Sequence, residues 1–466
     1  MRVSRSSRCL TNASALKRVL FSCFIVSVIV VGNCQANFFQ TTSATTAARI
    51  LSACGYIVEE NFVTTNDDRE LLLTRASNPL INKGDVSGHK DKDPILFIHG
   101  ILENESVFVV NSKGVKPADF SKLDVQRVKS YASHPSTKSL PILALNFGHT
   151  VYLLSRRGTP GSQNSRSSIP IQRNRPEDFE TFNSLLRNLT DPTDENSRNS
   201  GDGVSSVILS GMAALQKNLF GDILFKNRQW YYSFDEQIEH DFPRVVDFIL
   251  KQTNRRKLAV VGHSAGGTIT LGALSRSRKI AKKLSAAIFW AEGMSLGHND
   301  VFVTLAPFER LLDFYVGPLP SQTKTSLFQS ATGFICRLPF LQRTFCETFL
   351  DVFLGDSGGK EPATPENLNT ILFPTSSHEF AQLMQCVRQN GRMHKYDYGK
   401  AVNLIKYKRE KPPLYNITRI KFRKMSFYTS KNDRVVSELD AEATRKQLKG
   451  ECKSSKQQQN NLQTEH

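Results

Sequence analysis

Three stretches of this chain set a serine in the frame Gly-x-Ser-x-Gly: "GHSAG" at 262–266, "GMSLG" at 293–297 and "GDSGG" at 355–359. The frame matters chemically when it forms a sharp turn between a buried strand and a helix. The turn pushes the serine hydroxyl out at the end of a sheet, where it can attack a carbonyl carbon and form an acyl-enzyme. Flanking residues separate the three. Ser264 has an apolar strand pattern before it, "KLAVV", and a helical pattern after it, "AGGTITLGALS". Ser295 has a strand pattern before it, but "LGHNDVFVTLAPFERLL" starts no helix at once. Ser357 follows a helical pattern, and Pro362 and Pro365 argue against an immediate helix after it. Ser264 is the expected nucleophile, and Ser295 and Ser357 are read as loop residues.

A serine needs a base, an acid that orients the base, and donors for the oxyanion. The helix after Ser264 offers the N–H of Ala265. A second donor is expected from the turn after "FIHG", at Ile101. His99 in that turn and His263 inside the elbow are read as structural. Asp433, after the late apolar run "MSFYTS", stands where the acid of a nucleophile–acid–histidine order belongs, although Asn432-Asp433 is also good turn chemistry. After Asp433 the remaining histidine is His466, at the end of a polar tail. A base must be held rigidly near the serine, so His466 is a poor candidate and the base stays unassigned. "GDSGG" also looks like the nucleophile motif of trypsin-like proteases. The Ala-Ala-His-Cys-like setting and all-β pattern that such proteases need are not visible.

Around these residues, apolar runs alternate with amphipathic ones. "PILFIHG" (94–100), the second half of 140–154, "KLAVV" (257–261), "LSAAIFWAEG" (284–293) and "KMSFYTSKND" (424–433) read as strands. Residues 234–253 and 265–277 read as helices, the first with Val245, Val246, Ile249 and Leu250 on one face. This alternation predicts an α/β fold: a mostly parallel central sheet with helices on both faces. From about 299 to 415 the texture changes to apolar helices and Pro-rich loops, which predicts an inserted, mainly helical cap.

Longer segments resemble the acid lipases, the family of gastric and lysosomal acid lipase. In "GYIVEENFVTTNDDRELLLTR" (55–75), Gly55-Tyr56, Glu59-Glu60, Val63, Thr65, Asp67, Leu73 and Arg75 match the family's opening. "ILFIHGILENESVFVVN" resembles its His-Gly-Leu oxyanion loop. "VYLLSRRGTPGSQ" resembles a Val-Trp-Leu-x-Asn-x-Arg-Gly segment, and "YSFDEQIEHDFPRVVDFIL" its Phe-Ser-x-Asp-Glu helix. "GHSAGG" stands for Gly-His-Ser-Gln-Gly, and "YDYG" and "PPLYNIT" resemble late cap segments. The resemblance implies an α/β-hydrolase with a helical cap that hydrolyses neutral lipid esters, triacylglycerols or sterol esters, without metal or organic cofactor. It carries the nucleophile onto Ser264, the acid onto Asp433, and the oxyanion amides onto Ile101 and Ala265. It also sets "GDSGG" inside the cap. The chain departs from the family at Ala265, in place of Gln, and by insertions near 111–138 and 167–228. No counterpart of the family's Asn-His-Leu-Asp-Phe segment is found.

Arg2, Arg5, Arg8, Lys17 and Arg18 precede the apolar run "VLFSCFIVSVIVVG" and then Cys34-Gln35-Ala36, the pattern of a secretory signal cut after Ala36. The apolar run is short for a stable membrane anchor. The expected organisation is signal 1–36, hydrolase core 45–298, cap 299–415, returning core 416–445, and a disordered polar tail 446–466. A formal net charge of +18 favours anionic surfaces, yet it is spread along the chain, and no zinc-finger or ribonucleoprotein motif points to nucleic acid. The expected partner is a lipid ester at a lipid–water interface. A secretory route, extracellular or lysosomal, permits disulfides, and Cys336–Cys346 is the candidate pair among Cys54, Cys336, Cys346, Cys386 and Cys452. Sequons at Asn104, Asn188 and Asn416 fit that route. The alternatives are a catalytically inactive lipid-binding relative and a truncated product of an active lipase gene.

Overall fold

A computed structural model describes residues 46–81, 92–112, 114–121, 134–162, 230–310, 318–319 and 373–448. Seven strands form one sheet: β1 Ile57–Thr64, β2 Glu70–Ser77, β3 Ile95–Ile98, β4 Val151–Leu154, β5 Leu258–His263, β6 Leu284–Trp290 and β7 Met425–Tyr428. Their order is β1-β2-β4-β3-β5-β6-β7. β1 and β2 pair antiparallel, β2 pairs antiparallel with β4, and every pairing from β4 to β7 is parallel. The expected late strand is shorter than its apolar texture, ending at Tyr428 rather than running to Asp433.

The central strands are apolar on both faces because both faces are covered. Side chains alternate along each strand. Leu96, Ile98, Tyr152, Leu154, Leu258 and Val260 join one core cluster, while Phe97, Val151, Leu153 and Val261 join another. Helices α1 Ala47–Cys54 and α2 Leu140–Asn146 cover the second face. α3 Phe242–Thr253 and α4 Ala265–Arg276 cover the first, followed by α5 Arg278–Lys283. Ahead of α3, Phe234–Glu236 opens on a Ser233–Glu236 capping box and runs through a π turn, Gln237–Asp241. The 234–253 helix of the sequence reading is therefore continuous but locally widened. α4 is buried from Ala265 to Leu274, which explains its small residues.

Past β6 come α6 Asp300–Leu305, α7 Ser377–Arg388, α8 Lys400–Tyr407 and α9 Glu438–Gln447. α7 packs onto the same core as α3 and α4 through Ala381, Leu383, Met384 and Cys386. Cys54 and Cys386 are buried free thiols. The candidate pair Cys336–Cys346, the leader, Ser357 and the tail with His466 lie outside the described residues. Asn104 is buried and its side chain caps the turn Glu105–Phe108, so this sequon is closed to modification in the folded chain. Among the described residues no helix is long and apolar enough to cross a membrane.

Candidate active site

Parallel pairing brings the C-terminal ends of the strands to one edge. Ile98 is in register with Leu154 and Gly262, Gly262 with Phe289, and Trp290 with Tyr428. The residues that follow each strand therefore emerge together, which is where open α/β sheets place their ligands.

Ser264 follows β5 and caps α4 with φ 48° and ψ −116°, a conformation that non-glycine residues seldom adopt. Strain of this kind persists only when the surroundings over-determine it. Here the Ser264 N–H donates to the Trp290 carbonyl at 2.7 Å, and its carbonyl accepts from Gly267 and Thr268. The glycines make the turn possible. A Cβ on Gly262 would lie 2.7 Å from the Gly267 nitrogen, and one on Gly266 would run into the Ile98 carbonyl. Strand and helix could not approach this closely with side chains there. Ser295 has none of this. It is buried in an isolated bridge to Arg392, and its hydroxyl accepts from Gln447 Nε2 at 2.9 Å.

The turn after β3 runs directly beside the serine. A Cβ on Gly100 would lie 3.0 Å from Ser264 Cβ, 3.1 Å from His263 Nδ1 and 2.8 Å from Glu103 Oε2. Three side chains therefore surround one point. Glu103 Oε2 accepts from the Gly100 N–H at 2.7 Å and is 2.8 Å from His263 Nδ1. Burial opposes a charge on His263, yet the Glu103 carboxylate, with help from Asp433, raises its pKa above the ordinary histidine value. His99 is different. Fully buried, its Nε2 accepts the Arg156 N–H at 3.0 Å, so Nδ1 carries the proton and donates to the Gly100 carbonyl at 2.8 Å. Burial and the Arg156 charge lower its pKa and keep it neutral. One ring nitrogen is spent on the loop after β3 and the other on the backbone after β4.

The N–H of Ala265 opens α4 and so has no acceptor within the helix. The N–H of Ile101 follows the Gly100 carbonyl in the loop beside Ser264. Asp433 lies in the turn after β7, where its Oδ1 accepts from Val435 and Val436 N–H at 2.8 and 2.9 Å. The turn chemistry expected of this residue is therefore real, and it occupies one oxygen. Burial raises the Asp433 pKa, while those two N–H groups and His263 pull it down. Among the described residues no imidazole is bonded to the Ser264 hydroxyl, and no group of three or more His, Cys, Asp or Glu side chains could hold a metal. Glu103 and Arg156 escaped the sequence reading. The available signals were an acid two residues past a candidate oxyanion position and a doubled arginine after a buried strand.

A family model described as alpha/beta hydrolase fold matches residues 93–337, more than half of the chain. The chain belongs to the α/β-hydrolase fold family. Within it, this α/β-hydrolase is acid-lipase-like. It is 29% identical over 203 residues to a tear acid lipase-like protein of Mesocricetus auratus, covering 41% of this chain and 49% of that one. It is 27% identical over 201 residues to the gastric triacylglycerol lipase of Homo sapiens, covering 41% and 48%. The gastric triacylglycerol lipase of Bos taurus is 30% identical over 222 residues, again covering 41% and 48%. The chain thus spans about half the length of the curated relatives it matches. The likeness is therefore to proteins of the lipase/esterase type within the fold family.

Proposed function

We propose that this protein is a serine lipase or esterase of the secretory route, extracellular or lysosomal, that hydrolyses neutral lipid esters such as triacylglycerols or sterol esters in lipid catabolism. The observation that carries the proposal is the strained Ser264, held on a strand–helix turn with the Gly100 loop against its side chain. Ser264 attacks the ester carbonyl carbon, and the carbonyl electrons move onto oxygen. The N–H groups of Ala265 and Ile101 receive that charge. A histidine takes the serine proton and returns it to the departing alcohol, and Asp433 stabilises the imidazolium. Water then attacks the acyl-enzyme and releases a fatty acid. His263 shares the space around Ser264, and His466 is the histidine that follows Asp433 in the sequence. Substituting each by Ala separates them as the base.

The test uses the full chain with a fluorophosphonate probe and emulsified tributyrin. Labelling should map to Ser264, and Ser264→Ala should remove both labelling and turnover. A folded protein that shows neither, yet binds fatty acid, is an inactive lipid-binding relative and overturns the proposal.

A further inference from the structure

The Gly100–Ile101 peptide is gripped on its carbonyl side by one arginine. Arg156 Nη1 donates to the Gly100 carbonyl at 2.8 Å, and the His99 ring donates to the same oxygen. A trans peptide is planar, with its C=O and N–H pointing in opposite directions. Fixing the carbonyl toward Arg156 therefore fixes the direction of the Ile101 N–H away from it. On the other side of Gly100, Glu103 holds the N–H. The loop that passes Ser264 has little freedom left to turn its amide.

Arg156 is itself held at every nitrogen of its guanidinium. Its Nε donates to Gln237 Oε1 at 3.1 Å, and its Nη2 pairs with Glu379. Gln237 sits in the π turn before α3, and its Nε2 also donates to Glu379 Oε1 at 2.7 Å. Thr375 donates to the other Glu379 oxygen. Arg156 and Glu379 are both buried, at 3% and 0% side-chain exposure. A buried pair is a poor source of net stability and calls for another explanation, often the fixing of a geometry. The segment that carries Glu379 touches the same loop a second time, through the Phe373 N–H on the Leu102 carbonyl at 3.0 Å. Leu102 has φ 60°, a conformation that an unsupported leucine would leave.

We propose that Arg156 and Glu379 are positioning residues. They orient the Ile101 amide for the oxyanion and tie that orientation to the segment 373–379. The proposal rests on the serine-hydrolase reading for its catalytic meaning, but its geometry can be tested alone. In the acid-lipase-like segment "VYLLSRRG", Arg156 falls at the unspecified place before the matching Arg157.

The experiment compares wild type, Arg156→Lys and Glu379→Gln, with the double variant Arg156→Met/Glu379→Leu as a control that removes both buried charges together. Crystal structures of wild type and of each folded variant report the Gly100–Ile101 peptide plane. We expect the plane to be kept in wild type and turned in the variants. On p-nitrophenyl butyrate, kcat should fall about 100-fold with KM little changed, the lower end of the loss of one oxyanion donor. The preference for that ester over its thionoester, whose sulfur is a weak acceptor, should shrink in parallel. A folded variant with an unmoved peptide plane overturns the proposal, whether or not the protein turns over esters. So does a fall in kcat with unchanged ester preference. A wild type without Ser264-dependent turnover defeats the hydrolase reading instead, and the peptide plane still decides the role of Arg156.

Discussion

His263 Nδ1 lies 2.8 Å from Glu103 Oε2, across 160 residues of sequence and beside the candidate nucleophile. The pair sets a pH dependence whose sign follows from the histidine. The pKa of His263 is raised in the folded chain, so the folded state holds its proton more tightly than the unfolded one. The resulting stability is fully present below the ordinary value of about 6.5 and is lost as pH rises through the raised value. His263→Asn should therefore cost about 1 kcal/mol at pH 5 and less at pH 9. Urea midpoints at the two pH values check this, and Glu103→Gln should remove the same difference. An equal cost at both values would mean that the imidazole is not charged by Glu103.

Glu292, on the other side of the elbow, gives a slope of the same sign over a window that begins at lower pH. It is buried behind Gly267, and Oε1 has no partner among the described residues. Burial raises its pKa to about 8, against weaker help from the Met294 N–H and Thr444. The folded chain then binds a proton that the unfolded chain gives up near pH 4.5, and stability declines as pH rises from there to about 8. Glu292→Gln should flatten that decline and stabilise by about 1–3 kcal/mol at pH 8, with little gain at pH 4. Calorimetric melting at the two pH values distinguishes this from a pH-independent packing effect.

Arg157 lies next to Arg156 but holds two acids of its own. It bonds Asp241, with Nε to Oδ2 at 3.0 Å, and forms a two-point contact with Asp67 at 2.6 and 2.9 Å. Burial works against the Asp67 charge, yet the Arg157 hydrogen bonds and charge bring its pKa down to about 2. Arg157→Met would strand the buried Asp241. The expected loss is about 3–5 kcal/mol at pH 7, measured by denaturant unfolding, and it should shrink as pH falls and the acids take up protons. The variant Arg157→Met/Asp241→Leu should recover much of it.

Gly266 tests the elbow without touching a titrating group. A methyl there meets the Ile98 carbonyl, which is backbone of the neighbouring strand and cannot rotate away. Gly266→Ala should cost about 1–3 kcal/mol and displace Ser264. Fluorophosphonate labelling should fall more than the melting temperature implies. Gly114 has open space around it despite its positive φ, so Gly114→Ala serves as a comparison whose cost is backbone strain alone.

Local pattern sufficed for several elements. β3, β5, β6 and α4 were legible because a strand buried on both faces must be apolar throughout, and a buried helix must be small-sided. The limits of β7 were less legible, since the apolar texture of 424–433 runs on into a turn built by Asp433. The π turn at Gln237–Asp241 left no mark on the period of its helix. Ser264 stood out among three identical frames because its strand and helix are adjacent in sequence.

What the sequence alone determined was a doubly covered α/β sheet, a serine at a strand–helix turn and a likeness to acid lipases. Each of these depends on residues a few positions apart, where steric rules act directly. Only the tertiary structure decided which groups surround that serine. Glu103 meets His263 because β3 and β5 pair in parallel, with Ile98 in register with Gly262. Arg156 meets Glu379 across 223 residues because α7 packs onto the face of the sheet that β4 feeds. A charge carries no record in sequence of the partner it will find. Burial and register supply the partner, and with it the direction in which each pKa moves.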